Sequence, residues 1–186
     1  MVVIWYFFNC HKQNERETLD ICRQNMSKGV LLNAFVFTYD RMRRFQGEWH
    51  MEKQLMFPAG VFLESDDEAT LMEELRRYSK KAKPGAVFKA LAPVKKSEEM
   101  FLKSLCGESR HLGMSKGVIQ DGITQITEGP LRGMEERICR IDRHKRLARL
   151  AVPQGSSFHH NLAGNMTSES FVLRSVPVGL EIIDKK

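Results

Sequence analysis

Short apolar segments alternate with amphipathic ones over the first part of this chain, and the alternation stops near residue 106. The opening segment, Val2 to Phe8, is apolar and aromatic, which is typical of a strand buried on both faces. The next segment, residues 11 to 25, is polar except for three residues at helical spacing: Leu19, Cys22 and Met26. The pattern predicts a strand followed by a helix that packs one narrow apolar face on a sheet.

Further strand signals follow this helix. Leu31 to Thr38 is rich in Phe and Val, and a basic run from Arg41 to Arg44 precedes Gln46-Gly47, which is typical of a hairpin turn. The returning strand of that hairpin covers Glu48 to Leu55. Phe57-Pro58 then introduces a strand at Val61 to Leu63.

A second helix is indicated by Ser65 and Glu68, which have the spacing of a capping box. This helix should end at Pro84-Gly85, before a short strand at Ala86 to Phe88 and a last helix capped by Ser97. The order β-α-β-β-α-β with an extra helix favours an α+β fold. We expect residues 1–106 to form a ferredoxin-like sandwich with both main helices on one face of an antiparallel sheet.

The remainder of the chain predicts strands only. Residues 107–117 contain Gly and Ser with little apolar periodicity, so we expect a linker there. Residues 118–186 predict a small all-β, SH3-like barrel that includes a hairpin from Ile138 to Val152 and a closing strand region at Phe171 to Ile183. The Ser-, Gly- and Asn-rich stretch 155–170 is expected to be a loop. A length of 186 residues accommodates two such small domains.

Charge is concentrated in one place. The chain carries a formal charge of +6, and the segment Arg137 to Arg149 alone has six Lys or Arg residues against the single acid Asp142. Such a local excess is compatible with a polyanionic partner.

No metal or cofactor is expected. Cys10, Cys22, Cys106 and Cys139 are scattered without zinc-binding spacing, and we expect reduced, mostly buried thiols. His159-His160 lacks Cys or carboxylate companions at ligand spacing, which favours surface loop histidines. The chain shows no signal peptide and no run of about 20 apolar residues, so we expect a cytoplasmic protein without a membrane partner.

Three ordered stretches resemble the NusG family of transcription factors. They are Trp5-Tyr6 before a polar helix, Phe57-Pro58 leading into Val61 to Glu64, and Ile126 to Gly133, which is similar to the KOW motif. In that motif a Gly-Pro turn and a second Gly bend the first barrel hairpin, so the resemblance implies a hairpin turn at Gly129-Pro130 with the second strand beginning after it. The resemblance covers nearly the whole chain, with residues 1–106 as the NusG N-terminal domain and 118–186 as the KOW domain.

A narrower resemblance is to the LoaP subgroup, whose members act as antiterminators on long bacterial operons. Its motifs here are Gly129-Pro130-Leu131, Ile141 to Arg146 and Val178 to Ile182. One departure is Phe57-Pro58-Ala59-Gly60, where the family usually has Phe-Pro-Gly-Tyr. The missing aromatic leaves that part of the polymerase-facing surface unassigned.

The resemblance implies a monomeric protein that binds the clamp helices of bacterial RNA polymerase through its N-terminal domain and promotes read-through of terminators. Such binding needs an exposed apolar patch with a polar rim. The candidates are Phe8, Asn9, Phe57 and Phe62, although aromatic residues on strands also belong to cores. Trp5 and Tyr6 are assigned to the core.

The basic turn of the second domain suggests that this domain binds nucleic acid. Cationic side chains on a rigid turn suit phosphates and structured RNA, such as a hairpin in the nascent transcript, and the alternative is a solvated turn. Arg41, Arg43 and Arg44 are candidates for contact with non-template DNA or the polymerase. The predicted RNA-binding residues are Lys116, Arg132, Arg140, Arg143, His144, Lys145, Arg146 and Arg149.

Two other functions compete with this interpretation. One is a general NusG elongation or termination factor whose KOW domain binds proteins, which the basic turn disfavours. The other is a small enzyme, but no nucleophile with a base, paired carboxylates or phosphate-binding loop stands at a usable spacing. We therefore expect a binding protein and not an enzyme.

Overall fold

The computed structural model describes residues 2–10, 14–82, 91–153 and 173–185, with residues 79–82 described by their backbone alone. In these ranges the chain is mixed α+β, which confirms the predicted class. None of the described helices combines the length and apolarity needed to cross a membrane. The described elements, in chain order, are β1 (Ile4–Asn9), α1 (Glu15–Asn25), β2 (Asn33–Phe35), β3 (Thr38–Phe45), β4 (Glu48–Leu55), β5 (Gly60–Ser65), α2 (Glu68–Ala82), β6 (Leu91–Pro93), α3 (Lys96–Cys106), β7 (His111–Leu112), β8 (Ser115–Gln120), β9 (Ile123–Glu128), a 3-10 turn (Glu135–Arg137), β10 (Ile138–Asp142), β11 (Leu147–Ala151) and β12 (Ser175–Lys185).

These elements form two compact units. Among the described residues, the first unit contains those up to Val36 and those from Phe57 to Glu99, and the second contains the rest. The hairpin of β3 and β4 therefore groups with the C-terminal strands. The boundaries 1–106, 107–117 and 118–186 stay a prediction, and residues 107–117 include β7 and the first residues of β8.

The first unit is a four-stranded antiparallel sheet in the order β2-β5-β1-β6. Side chains alternate between the two faces of each strand, so Tyr6, Val61 and Leu63 lie on one face, where they share a core with α1 and α2. Phe7 and Phe62, which are register partners, lie on the other face. Burial of Trp5 and Tyr6 confirms their assignment to the core.

Both predicted helix caps are displaced. Asp67, not Ser65, caps α2: its Oδ1 accepts the Thr70 N–H at 3.0 Å and its Oδ2 accepts the Thr70 hydroxyl at 2.6 Å. These bonds to the ionised form lower the pKa of Asp67. Ser97 lies inside α3, where Glu98 Oε2 accepts the Lys95 N–H at 3.2 Å. In each case a carboxylate, which accepts more strongly than a hydroxyl, satisfies the first free amides.

The second unit has two sheets, ordered β4-β3-β7 and β10-β11-β12-β8-β9. The Gln46-Gly47 turn joins β3 to β4 as predicted, and the hairpin of β10 and β11 is also confirmed. The predicted barrel is not closed: in the part of the chain that the structure describes, β9 and β10 are the edges of an open sheet. The strand predicted at Ala86 to Phe88, the stop at Pro84-Gly85 and the loop 155–170 lie outside the described residues.

The first hairpin of this sheet turns at Asp121-Gly122 and not at Gly129-Pro130. Asp121 and Gly122 have φ of 51° and 78°, the left-handed pair that suits a two-residue hairpin. The residues after Gly129 form a turn and the 3-10 segment instead of a strand. Glu135 Oε1 holds that segment to β9 by accepting the Ile126 N–H at 3.3 Å.

The cysteines follow their predicted burial. Cys10, Cys22 and Cys106 are buried free thiols, whereas Cys139 is exposed on β10. Desolvation raises the pKa of Cys22 and of Cys106 to about 12.

This difference in exposure predicts that one thiol reacts much faster than the other three. At pH 8 a thiol with a pKa of about 12 is ionised in roughly one molecule in ten thousand, and the thiolate is the reactive form. We expect a disulfide reagent such as DTNB to modify Cys139 first and the three buried thiols only on unfolding. Cys139→Ser should remove the fast phase. A second fast thiol in the folded Cys139→Ser variant would contradict the buried packing.

Candidate functional site

Two exposed arginines face each other across the β10–β11 hairpin. Arg140 and Arg149 are register partners, and their neighbours Ala148 and Leu150 point into the core. Like charges directly opposite one another in a sheet are unfavourable. Within the described ranges neither arginine has a carboxylate partner. This pair is a local concentration of charge that an anion would relieve.

The turn beyond this pair has a defined shape. Asp142 Oδ1 accepts the Lys145 N–H at 3.0 Å, and this bond lowers the pKa of Asp142. The Lys145 ammonium lies 3.5 Å from the same carboxylate. Arg143 and His144 remain exposed at the tip. The side chains with the clearest access to a partner are thus those of Arg140, Arg143, His144 and Arg149.

Arg146 is placed differently from the rest of the turn. Its guanidinium carbon lies 4.0 Å from the centroid of the Trp49 ring, and its Nη1 lies 2.8 Å from Glu181 Oε1. Its side chain is 24% exposed. A stacked and paired guanidinium is already neutralised, so the structure gives Arg146 an intramolecular role where a nucleic-acid contact was predicted.

Two of the predicted RNA-binding residues, Lys116 and Arg132, lie outside this hairpin. Lys116 on β8 pairs with Glu128 of β9 at 3.0 Å. Arg132 is exposed in the turn that follows Gly129-Pro130. The structure therefore does not bring Lys116 or Arg132 into the β10–β11 hairpin.

The Gly129-Pro130-Leu131 segment is anchored at both ends. Gly129 has φ of 97°, and a methyl group there would lie 2.5 Å from the carbonyl oxygen of Met114. The Leu131 N–H donates to the hydroxyl of buried Ser115 at 3.1 Å. Position 129 requires glycine, because other residues rarely adopt this φ and a Cβ there would overlap the neighbouring backbone.

The arginines of the β3–β4 hairpin divide between its two faces. Register partners project to the same side, so Arg44 shares a face with Trp49, whereas Arg41 and Arg43 lie on the face of Glu52. Arg43 Nη1 lies 3.8 Å from Glu52 Oε1. Arg44 Nε donates to the Gly47 carbonyl at 3.3 Å and has no carboxylate partner among the described residues. The three predicted contacts are therefore not equivalent.

Of the two arginines on the Glu52 face, Arg41 lies farther from the Gln46-Gly47 turn. Its Nε is buried and finds no acceptor within the described part of the chain. Burial raises the pKa of the Tyr39 phenol, and Arg41 and Arg149 both act to lower it. The two arginines, distant in sequence, lie within electrostatic range of one buried phenol.

The aromatic candidates of the first unit occupy both sheet faces. Phe62 is 0% exposed, stacks on Phe35 at 5.7 Å and meets Phe57 edge-on at 5.2 Å. Phe62 therefore belongs to the core and presents no surface to a partner. Phe8 packs on the helix side, whereas half-buried Phe57 lies on the opposite side. Asn9, the register partner of Gly60, is half-buried at the end of β1.

The loop that carries Phe57 is held by a residue that the sequence did not indicate. Buried Glu15, at the start of α1, accepts the Ala59 N–H through Oε1 at 2.6 Å. The Cys10 N–H donates to the Ala59 carbonyl at 2.8 Å. Ala59 has φ of 64°, so these two bonds maintain a backbone conformation that non-glycine residues seldom adopt. The loop presents half-buried Phe57 and exposed Pro58 in a fixed geometry.

A hydrogen-bonded chain joins β7 to β3 in the second unit. Thr38 Oγ1 lies 2.9 Å from His111 Nδ1, and His111 Nε2 lies 3.1 Å from Asp40 Oδ1. Thr38 and His111 are register partners, so these bonds link the two strands beside their backbone pairing. No three His, Cys, Asp or Glu side chains in the described ranges are placed to share a metal ion.

Comparison with known proteins gives no family assignment, because no protein-family model matches the chain and no curated protein matches it significantly.

Proposed function

We propose that this protein is a NusG-family processive antitermination factor of the LoaP-like kind. It binds bacterial RNA polymerase through its first unit and a structured leader RNA through the β10–β11 hairpin of its second. The observation that carries the RNA half is the opposed pair Arg140 and Arg149 with Arg143 at the adjoining tip, since none of the three has a carboxylate partner in the described chain. The protein performs no catalytic step in this mechanism.

The topology supports the two-part organisation. The strand order β2-β5-β1-β6, with α1 and α2 on one face, is the order expected of a ferredoxin-like N-terminal domain. The anchored Gly129-Pro130-Leu131 turn beside a five-stranded sheet supports a KOW-type domain.

The polymerase half rests on the loop at Phe57. Phe57 and Pro58 offer an apolar surface that two hydrogen bonds to Ala59 keep in place, and Asn9 adds a polar group beside it. A rigid apolar contact with a polar rim is suited to a pair of helices such as the polymerase clamp helices. Phe8 is a weaker candidate because it packs on the helix-side core.

The competing function is a general elongation factor whose C-terminal domain binds protein. The deciding experiment is transcription by purified bacterial polymerase on a template that contains the leader of the operon next to this gene, followed by a terminator. We expect read-through that depends on that leader. Read-through that is equal on a template without the leader would favour the general factor, and no effect on either template would refute both.

Removing two of the arginines that have no carboxylate partner in the described ranges tests the RNA half of the proposal. Arg140→Ala with Arg143→Ala should weaken binding of a fluorescein-labelled leader RNA about tenfold to a hundredfold, because each of the two lost contacts comes from an exposed, solvent-screened arginine and is worth about 0.7–1.4 kcal/mol. The slope of log K against log salt should become shallower by about 0.7–0.9 for each lost phosphate contact. Fluorescence anisotropy at several salt concentrations measures both.

The matched control is Arg16→Ala, which removes an exposed arginine from α1 in the first unit. Its RNA affinity should equal that of the unmodified protein. An unchanged slope in the Arg140 and Arg143 double variant would place the RNA elsewhere.

A further inference from the structure

Two basic segments that are far apart in the sequence meet at one contact. The Arg146 guanidinium stacks on Trp49 of β4, with its central carbon 4.0 Å from the ring centroid. Its Nη1 lies 2.8 Å from Oε1 of Glu181, which belongs to β12. Arg44 is the register partner of Trp49 and projects from the same hairpin face. The tip of the β10–β11 hairpin begins three residues before Arg146, and the Arg146 N–H donates to the Arg143 carbonyl at 3.3 Å. Arg44 is therefore the cross-strand neighbour of Trp49, and Arg143 belongs to the same turn as Arg146.

The charges at this place are not balanced. Arg146 is neutralised by Glu181 and Lys145 by Asp142, but neither Arg44 nor Arg143 has a carboxylate partner in the part of the chain that the structure describes. The stacked pair joins the strand that faces Arg44 to the turn that carries Arg143, and it uses the charge of neither arginine. Fixed cations on a rigid support suit the repeated phosphates of a nucleic-acid backbone.

We propose that the β3–β4 hairpin is part of the RNA-binding surface: Arg44 and the tip residues Arg143 and His144 contact one RNA strand across the Arg146–Trp49 stack. This inference rests on the proposed function, because it extends the same RNA site to a second segment of the chain. Arg44 contacts the ligand directly. Trp49 and Arg146 are positioning residues that hold the two basic segments together.

The neighbouring arginine supplies a control. Arg43 is next to Arg44 in the chain, carries the same charge and is also exposed, but it lies on the other hairpin face beside Glu52. Replacement of either residue lowers the net charge equally. A difference in RNA affinity between the two variants would therefore come from a contact that Arg44 makes on the Trp49 face.

The test measures binding of full-length protein to a fluorescein-labelled RNA stem-loop from the leader, with DNA of the same sequence as a parallel arm. Arg44→Ala should raise the RNA Kd about tenfold and reduce the salt slope by about 0.7–0.9, whereas Arg43→Ala should change neither. Trp49→Leu should weaken binding and Trp49→Phe should largely retain it. A change confined to the DNA arm would assign Arg44 to DNA and overturn the proposal.

The outcomes separate this inference from the function on which it rests. If Arg140→Ala with Arg143→Ala weakens RNA binding and Arg44→Ala does not, the hairpin is outside the site and only this inference fails. Equal losses for Arg43→Ala and Arg44→Ala would also overturn it, because net charge alone would then explain the effect. If none of these variants changes binding, the RNA half of the proposed function fails as well.

Discussion

Replacement of Phe57 by Asp is expected to abolish terminator read-through while RNA binding stays unchanged. Phe57 is half-buried in a loop that Glu15 and Cys10 hold through Ala59, so its exposed edge is offered in a fixed position. A carboxylate there would have to be desolvated against an apolar partner without compensation. Single-round transcription with purified polymerase measures read-through, and anisotropy with leader RNA measures the second activity.

Two variants make this result interpretable. Phe57 meets Phe7 and Phe62 edge-on, so its loss could destabilise the first unit, and circular dichroism must show a folded protein. Pro58→Asp introduces the same charge at an exposed neighbour and should also reduce read-through. Leu32→Asp places a carboxylate at another exposed apolar position of the first unit and should have no effect. A folded Phe57→Asp protein with full read-through would move the polymerase contact away from this loop.

A single methyl group at position 179 is expected to destabilise the second unit by about 3 kcal/mol, at the upper end for an overpacked site. Gly179 lies on β12 where β3 crosses closely, and an added Cβ would overlap the Met114 sulfur and the Asp40 carbonyl oxygen. The Met114 side chain can move aside. The Asp40 backbone cannot shift without disturbing the bond of Asp40 to His111. Urea denaturation of Gly179→Ala should show a lower midpoint with a similar slope.

Gly29→Ala is the matched control for this prediction. An added Cβ at Gly29 meets nothing within 4 Å, so the change in unfolding free energy should stay within about 0.5 kcal/mol. An unchanged midpoint for Gly179→Ala would mean that β3 does not lie against β12. The proposal that the β3–β4 hairpin is part of the RNA-binding surface would then lose its structural basis.

Local patterns predicted the elements of this fold well. The apolar segment of β1, the turn at Gln46-Gly47 and the basic turn between β10 and β11 each have a signal within a few residues, because hydrogen bonds and side-chain alternation there involve near neighbours. The Asp121-Gly122 turn carried an equally local signal and was missed in favour of Gly129-Pro130. The helix caps were missed because several carboxylates and hydroxyls compete within one turn for the same amides.

The candidate site was predictable only in part. A cluster of basic residues at Arg137 to Arg149 is visible in the sequence, but the sequence does not distinguish free from paired charges. Glu181 neutralises Arg146 and Glu128 neutralises Lys116 from other strands, and Trp49 stacks on Arg146 from another sheet. Phe62 was a candidate for polymerase contact because it is aromatic. It belongs to the core, since the fold packs it against Phe35.

The sequence by itself determined the α+β class, most strand and helix positions and the place of the basic turn, because each depends on the periodicity and charge of adjacent residues. Only the tertiary structure decided that the β3–β4 hairpin groups with the C-terminal strands. Only it decided that Arg44, Arg140, Arg143 and Arg149 find no carboxylate partner among the described residues. Salt bridges and stacking act over a few ångströms in space regardless of separation along the chain. Which cations remain available to a partner is therefore set by strand register and packing.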